Sequence, residues 1–234
     1  MDDYEYYELL NESRNIIDER TAALMKDAAE RLQEKYHHSF EVISVGNRFN
    51  RDSADLYVND TENPAVIFKA VYSDNDMIDD YIAAKLGLEF SEVLSKKCAD
   101  VGLCLAANIT FVGQSPSSET DSELTLQEYL SRYQIKSALI YLALDAFCIT
   151  EDTADKLLDC LVETGTQYGI DLAVCGFILK DNFAVCADLM KCLPDISSAW
   201  FDDYPVSASF SFAVLNGQLN IDAARLRKII YGED

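Results

Sequence analysis

The chain has 234 residues, 41 acidic and 19 basic, a net charge of −22, and 49% hydrophobic content. This is the composition of a folded globular protein, and the length suits one large domain or two small ones sharing a core. A field of this sign repels nucleic-acid phosphate and anionic lipid, which argues against both as direct partners; it attracts a basic partner, and it also serves plain solubility.

No apolar run reaches the roughly 18 residues of a membrane span. The first thirty residues lack the basic start and apolar core of a signal peptide. The seven cysteines (98, 104, 148, 160, 175, 186 and 192) include no CxxC pair and sit mostly in apolar company, as in LCLAA and AVCGF. Free cysteine packs as a small hydrophobe, and an odd count without a signal peptide predicts seven reduced thiols in the cytoplasm.

From Tyr4 to Tyr36 there is no glycine or proline, and apolar residues recur at 9, 10, 16, 17, 24, 25, 28 and 32. That spacing predicts a long amphipathic helix, with a break near Asn15–Asp18 where Asp18 would cap a second helix. Its stripe, including Leu10, Ile17, Leu24 and Leu32, needs a partner surface. Tyr4, Tyr6 and Tyr7 form either a partner-contact patch or a first turn packed on the body.

FEVISV (40–45), ADLYV (54–58) and AVIFKAVY (65–72) alternate as strands of a small antiparallel meander, with a turn at Gly46-Asn47. A strand, acid-capped helix, strand order then occurs twice. One copy runs 65–72, a helix over 78–100, and 103–112; the other runs 137–147, a helix over 152–168, and 171–180. The repetition is either an internal β-α-β duplication or the common way of covering a sheet face with a helix.

Between the copies, GQSPSSETDSE (113–123) reads as a mobile loop or linker. It divides an N-terminal α+β half, 1–112, from a C-terminal α/β half, 124–234, unless the two form one compact domain. A short helix in LTLQEYLSRY follows, then a helix over 183–192 stopped by Pro194, an alternating strand over 205–215, a turn at Asn216-Gly217 and a closing helix over 221–230. The fold class is α/β or α+β, with mixed sheet or sheets covered by helices.

Asp74, Asp76, Asp79 and Asp80 form the densest carboxylate cluster, the chemistry a hard cation requires. EF-hand spacing fails there: no glycine holds the sixth position, and Lys85 stands where the bidentate glutamate belongs. Acids starting a helix account for the cluster. Asp202 and Asp203 beside Trp200 and Phe201 carry the residue types of a sugar or cation site, yet read better as a surface turn before Pro205. His37 and His38 end the first helix, where cations suit the dipole, and no further metal ligands share their spacing.

No nucleophile elbow, phosphate loop, zinc-protease or dinucleotide motif occurs, so no catalytic, cofactor-binding or metal residue is assigned. The leading expectation is a non-catalytic, cytoplasmic acidic module that binds a protein partner. That partner includes a basic one it would neutralise, as an inhibitor or immunity protein does. The alternatives are a metal-assisted hydrolase using the Asp74–Asp80 cluster and a small-molecule binding domain. No cofactor is implied, and the chain is expected to be a monomer or weak homodimer.

Overall fold

The computed structural model describes residues 19–46, 53–73, 76–113, 119–194, 196–221 and 223–232. The fold is mixed α+β with two sheets. The described residues form two compact units: one holds those up to Lys85 together with 119–123, the other 86–113 and those from Leu124 onward. The chain passes between them within a helix, and 119–123, inside the stretch read as a loop or linker, belongs again to the first unit.

In the first unit, helix α1 (Glu19–Tyr36) packs on a four-stranded antiparallel sheet of order β1 (Phe40–Val45), β2 (Ser53–Asp60), β3 (Ile67–Ser73) and β4 (Met77–Asp79). Leu24, Ala28, Leu32 and Tyr36 recur every fourth residue and are buried as one stripe. The sheet answers with Ala54, Leu56 and Val58 on β2 and Phe68, Ala70 and Tyr72 on β3, the period-two alternation of a half-buried sheet. The expected burial of Leu24 and Leu32 is met; Leu10, Ile17, Asp18 and the three N-terminal tyrosines lie outside the described residues, as does Asp74.

Helix α2 (Tyr81–Asp100) leads into the second unit, a five-stranded sheet of order β5 (Leu105–Val112), β6 (Ser137–Asp145), β7 (Asp171–Leu179), β8 (Val206–Leu215) and β9 (Gln218–Leu219). All neighbours are antiparallel except β6 and β7, which α4 (Thr153–Tyr168) joins as a parallel crossover. α3 (Leu126–Arg132) carries a capping box between Thr125 and Glu128. α5 (Phe183–Cys192) and a 3₁₀ turn (Ser198–Asp203) bring Cys186, Met190 and Phe201 against Phe177 and Leu179, and α6 (Ala223–Tyr231) packs on α4 and β8.

The two similar strand-helix-strand segments therefore differ in tertiary role. β6-α4-β7 is a crossover within one sheet, whereas β3, which reaches α2 through the short β4, and β5, which follows α2, belong to different sheets. The shared local pattern therefore does not make two equivalent units.

Cys104 and Cys148 form a disulfide, with Cα atoms 5.9 Å apart, which corrects the expectation of seven reduced thiols. The physical reason is non-local. Antiparallel pairing sets the start of β5 beside the end of β6, Asp145 N–H donating to Cys104 C=O, and so joins cysteines 44 positions apart. Cys98, Cys160 and Cys186 are buried and Cys175 and Cys192 half-buried, as the apolar contexts suggested. Among the described residues, no helix is long and apolar enough to cross a membrane.

Candidate functional site

The carboxylates singled out in the sequence meet very different surroundings. Asp79, at the end of β4, is buried. Its Oδ1 accepts from the Tyr36 hydroxyl at 2.6 Å and from Tyr81 N–H at 3.2 Å, and its Oδ2 takes the Lys35 ammonium at 2.7 Å. Asp80 starts α2, and its Oδ1 accepts Lys69 N–H at 2.8 Å. Burial pushes its pKa up to about 6, against the lowering effect of that backbone bond, and the neighbouring Asp79 charge adds to the rise. Asp76 is exposed, its side chain accepting from Met77 N–H.

A second aspartate, Asp60, ends β2 in the same unit. Its Oδ2 accepts the Tyr81 hydroxyl at 3.0 Å, and its Oδ1 takes Glu62 N–H, Asn63 N–H and His38 Nε2, the last at 2.5 Å. Desolvation acts to raise its pKa, but the bonds from Asn63, His38, Glu62 and Tyr81 together hold the carboxyl below the usual range. Burial, with the charge of Asp79 or Asp60 beside it, raises the Tyr36 and Tyr81 phenols well above the ordinary tyrosine value. The rings of Tyr36, Phe40, Phe68 and Tyr81 pack edge-on or tilted around these groups at 4.8–5.9 Å between centroids.

This cluster is chemically closed. An ammonium lies against Asp79 where a metal would sit, and each buried carboxylate is satisfied by donors from its own unit. Among the described residues, no group of three or more His, Cys, Asp or Glu side chains is placed to hold a metal ion. The helix-start reading of the aspartates thus needs extension: they also tie α1 and β3 to the start of α2.

His37 is exposed with φ +56, its N–H donating to Gln33 C=O, so it ends α1 by leaving the helix, and His38 turns inward to Asp60 and Glu62. Asp202 and Asp203 are exposed on the 3₁₀ turn, where Phe201 stacks on Phe177 at 3.8 Å and Trp200 meets Phe201 and Tyr204. That is an anchored surface turn. Glu119, in the segment read as a mobile loop, is buried, and its side chain accepts from Thr120 and Asp121 N–H.

The second unit offers a different kind of place. A groove of about 720 Å³ runs beside β8, between Cys175 and Phe177 of β7 and Arg225 and Ile229 of α6, with Ser209 and Ser211 along it and Asn220 at one end. None of the described residues lining it is acidic. Phe210, which also lines it, lays its ring on the bare backbone of Gly176 in β7, where a Cβ would lie 2.1 Å from that ring. Arg225 is exposed and has no ion-pair partner among the described residues, whereas Arg227 on the same helix is bound to Asp155.

Among the described residues, nothing covers the β8 edge beyond β9. β9 pairs only with Val214 and Leu215, and Ala213 exchanges hydrogen bonds with Asn220 through its outward N–H and C=O. Alternation then turns the backbone groups of Ser211 and Ser209 outward as well, and nothing among the described residues bonds them. The opposite edge, at β5, is closed. Ser91 Oγ donates to Ala107 C=O at 2.5 Å, and a Cβ on Gly87 would sit 2.8 Å from Ile109 O, so α2 lies directly on that edge.

No protein-family model matches this chain, and no curated protein matches it. Among solved structures it is similar to a DUF5037 family protein from Ruminococcus gnavus ATCC 29149, with a TM-score of 0.72 at 13% sequence identity over 89% of this chain and 99% of that one. At that identity the likeness shows the fold alone.

Sequence reasoning reached Asp79 and Asp80 but missed Lys35, Tyr36, Asp60 and Tyr81, which come from three separate stretches of chain. It also missed the groove. The available signals were a ten-residue strand, VSASFSFAVL, without a single charge, and the basic run RLRK in a chain otherwise dominated by acids.

Proposed function

We propose that this protein is a non-catalytic interaction module that binds a protein partner through the groove and open strand edge of its second unit. The observation carrying the reading is that edge: outward N–H and C=O groups beside a groove with no acidic lining residue among those described. An unpaired edge invites pairing with another chain, and natural proteins usually blunt one with charge, proline or a covering element. The net charge of −22 favours a partner that is basic overall, by steering rather than by contact. In this reading the chain itself is a monomer or weak homodimer.

The hydrolase alternative using the Asp74–Asp80 cluster is the weaker one, since Asp79 is bound to Lys35 and Tyr36 and Asp80 to Lys69 N–H. The small-molecule alternative draws on the groove volume, about 720 Å³, within the range of ligand sites. Melting with and without Mg²⁺, Ca²⁺ or Mn²⁺ separates the first: a binding module shifts little, and a clear stabilisation supports a metal enzyme. Reconstitution with a purified candidate partner at low and high salt tests the main reading. A stoichiometric complex whose association slows with salt supports it; turnover of a substrate without any partner overturns it.

Cytoplasmic residence belongs to the same proposal, and the Cys104–Cys148 pair opposes it, because disulfides persist in oxidising compartments. Alkylation of freshly isolated, non-reduced protein decides. Seven modified thiols support the cytoplasm, and five support an oxidising compartment.

A further inference from the structure

We infer that β8 accepts an extended peptide segment as an added strand, with an acidic side chain of that segment held by Arg225; this rests on the interaction-module reading and names its mode. The backbone of Ser209 and Ser211 offers donors and acceptors at strand spacing, a pattern that only another extended backbone satisfies repeatedly. The neighbouring side chains fit such a guest. Ser209 and Ser211 are small and exposed, while Phe210 and Ile229 add apolar surface in the groove. Arg225 supplies the charge complementarity, as a guanidinium with no ion-pair partner among the described residues, in a groove without acids among them.

The closed β5 edge shows what this fold does with a strand edge left without a partner: it lays a helix on it. The partner's total charge and its docking segment act at different ranges. The field of the whole chain favours a positive body, and the contact at Arg225 favours a local acid.

The test is a display selection of random eight-residue peptides against the full-length protein, followed by amide NMR of the protein with the enriched peptides. The expected result is enrichment of β-forming sequences with an acid at one fixed position, and slowed exchange of the Ser209 and Ser211 amides. Arg225→Glu should weaken these peptides at least tenfold, and exchanging the peptide acid for lysine should recover part of the loss.

Ser211→Pro should abolish binding while preserving the fold, because the N–H it removes points outward and takes no part in the ladder; circular dichroism checks the fold. Peptides that enrich but leave Ser209 and Ser211 untouched overturn strand addition and keep the interaction-module reading. If no peptide enriches while glutarate alone shifts Arg225 and Asn220, both fall in favour of a small anion site. No enrichment and no response to glutarate overturns the proposal as well.

Discussion

The buried acids of the first unit and the groove of the second treat polar groups in opposite ways. Asp79 and Asp60 are buried and every donor around them is spent on protein: two tyrosines, a lysine, a histidine and backbone N–H groups. Along β8, backbone groups face outward at Ser209 and Ser211 and Arg225 stands without an ion-pair partner among the described residues. Burial without a partner is costly, so a closed cluster is a structural device. Exposed groups in strand geometry are satisfied by water at little cost and remain exchangeable for a ligand. Chemically attractive residue types can thus serve stability, and unremarkable serines can stand where backbone groups stay exposed.

The largest effect should come from the closed side. Asp79→Ala leaves Lys35 and Tyr36 facing a vacated site, and removing one partner of a buried ion pair costs about 3–5 kcal/mol. Urea unfolding measures it; a loss below about 1 kcal/mol would mean the cluster is not closed in solution.

Gly87→Val is next. It forces a side chain against Ile109 O and should cost about 1–3 kcal/mol by lifting α2 from β5. A neutral outcome would remove the contrast between the two sheet edges.

Cys148→Ser opens a loop of 44 positions and should lower stability by about 2 kcal/mol under oxidising conditions, with no difference from the parent in reductant.

The pH dependence separates Asp80 from Asp60. With its folded pKa raised to about 6 from 3.8, Asp80 makes the folded state bind more protons, so its contribution is present at about pH 4 and lost as pH rises through 6. Asp80→Asn should therefore melt higher than the parent at pH 7.5 and converge with it near pH 4. Asp60 acts in the opposite sense: its lowered pKa gives stability that is present above the unfolded value of 3.8 and lost as pH falls below it. A parent whose melting temperature is flat between pH 4 and 7 would contradict the buried environment of Asp80.

The smallest effect belongs to the open side. Ser211→Pro should change stability by no more than about 0.5 kcal/mol, since a proline on an edge strand with its nitrogen outward disturbs no ladder bond. A loss of several kcal/mol would show that the edge is covered.

The sequence by itself determined the local elements. Period-two alternation in FEVISV and SALIYLALD, the four-residue stripe through Leu24 and Leu32, and the Asn216-Gly217 turn each follow from contacts within a few residues, and their spans agree with the structure to within a few positions. Whether a strand lies at an edge, and whether that edge is covered, depends on pairings over long separations. So does the meeting of Asp60 with His38 and Tyr81, and that of Cys104 with Cys148. The same alternating pattern gave β3 to one sheet and β5 to another, because hydrophobic periodicity fixes which face of a strand is buried but not which neighbour buries it. Tertiary structure alone decided that Asp79 would be enclosed and that Arg225 would stand exposed at the groove beside β8.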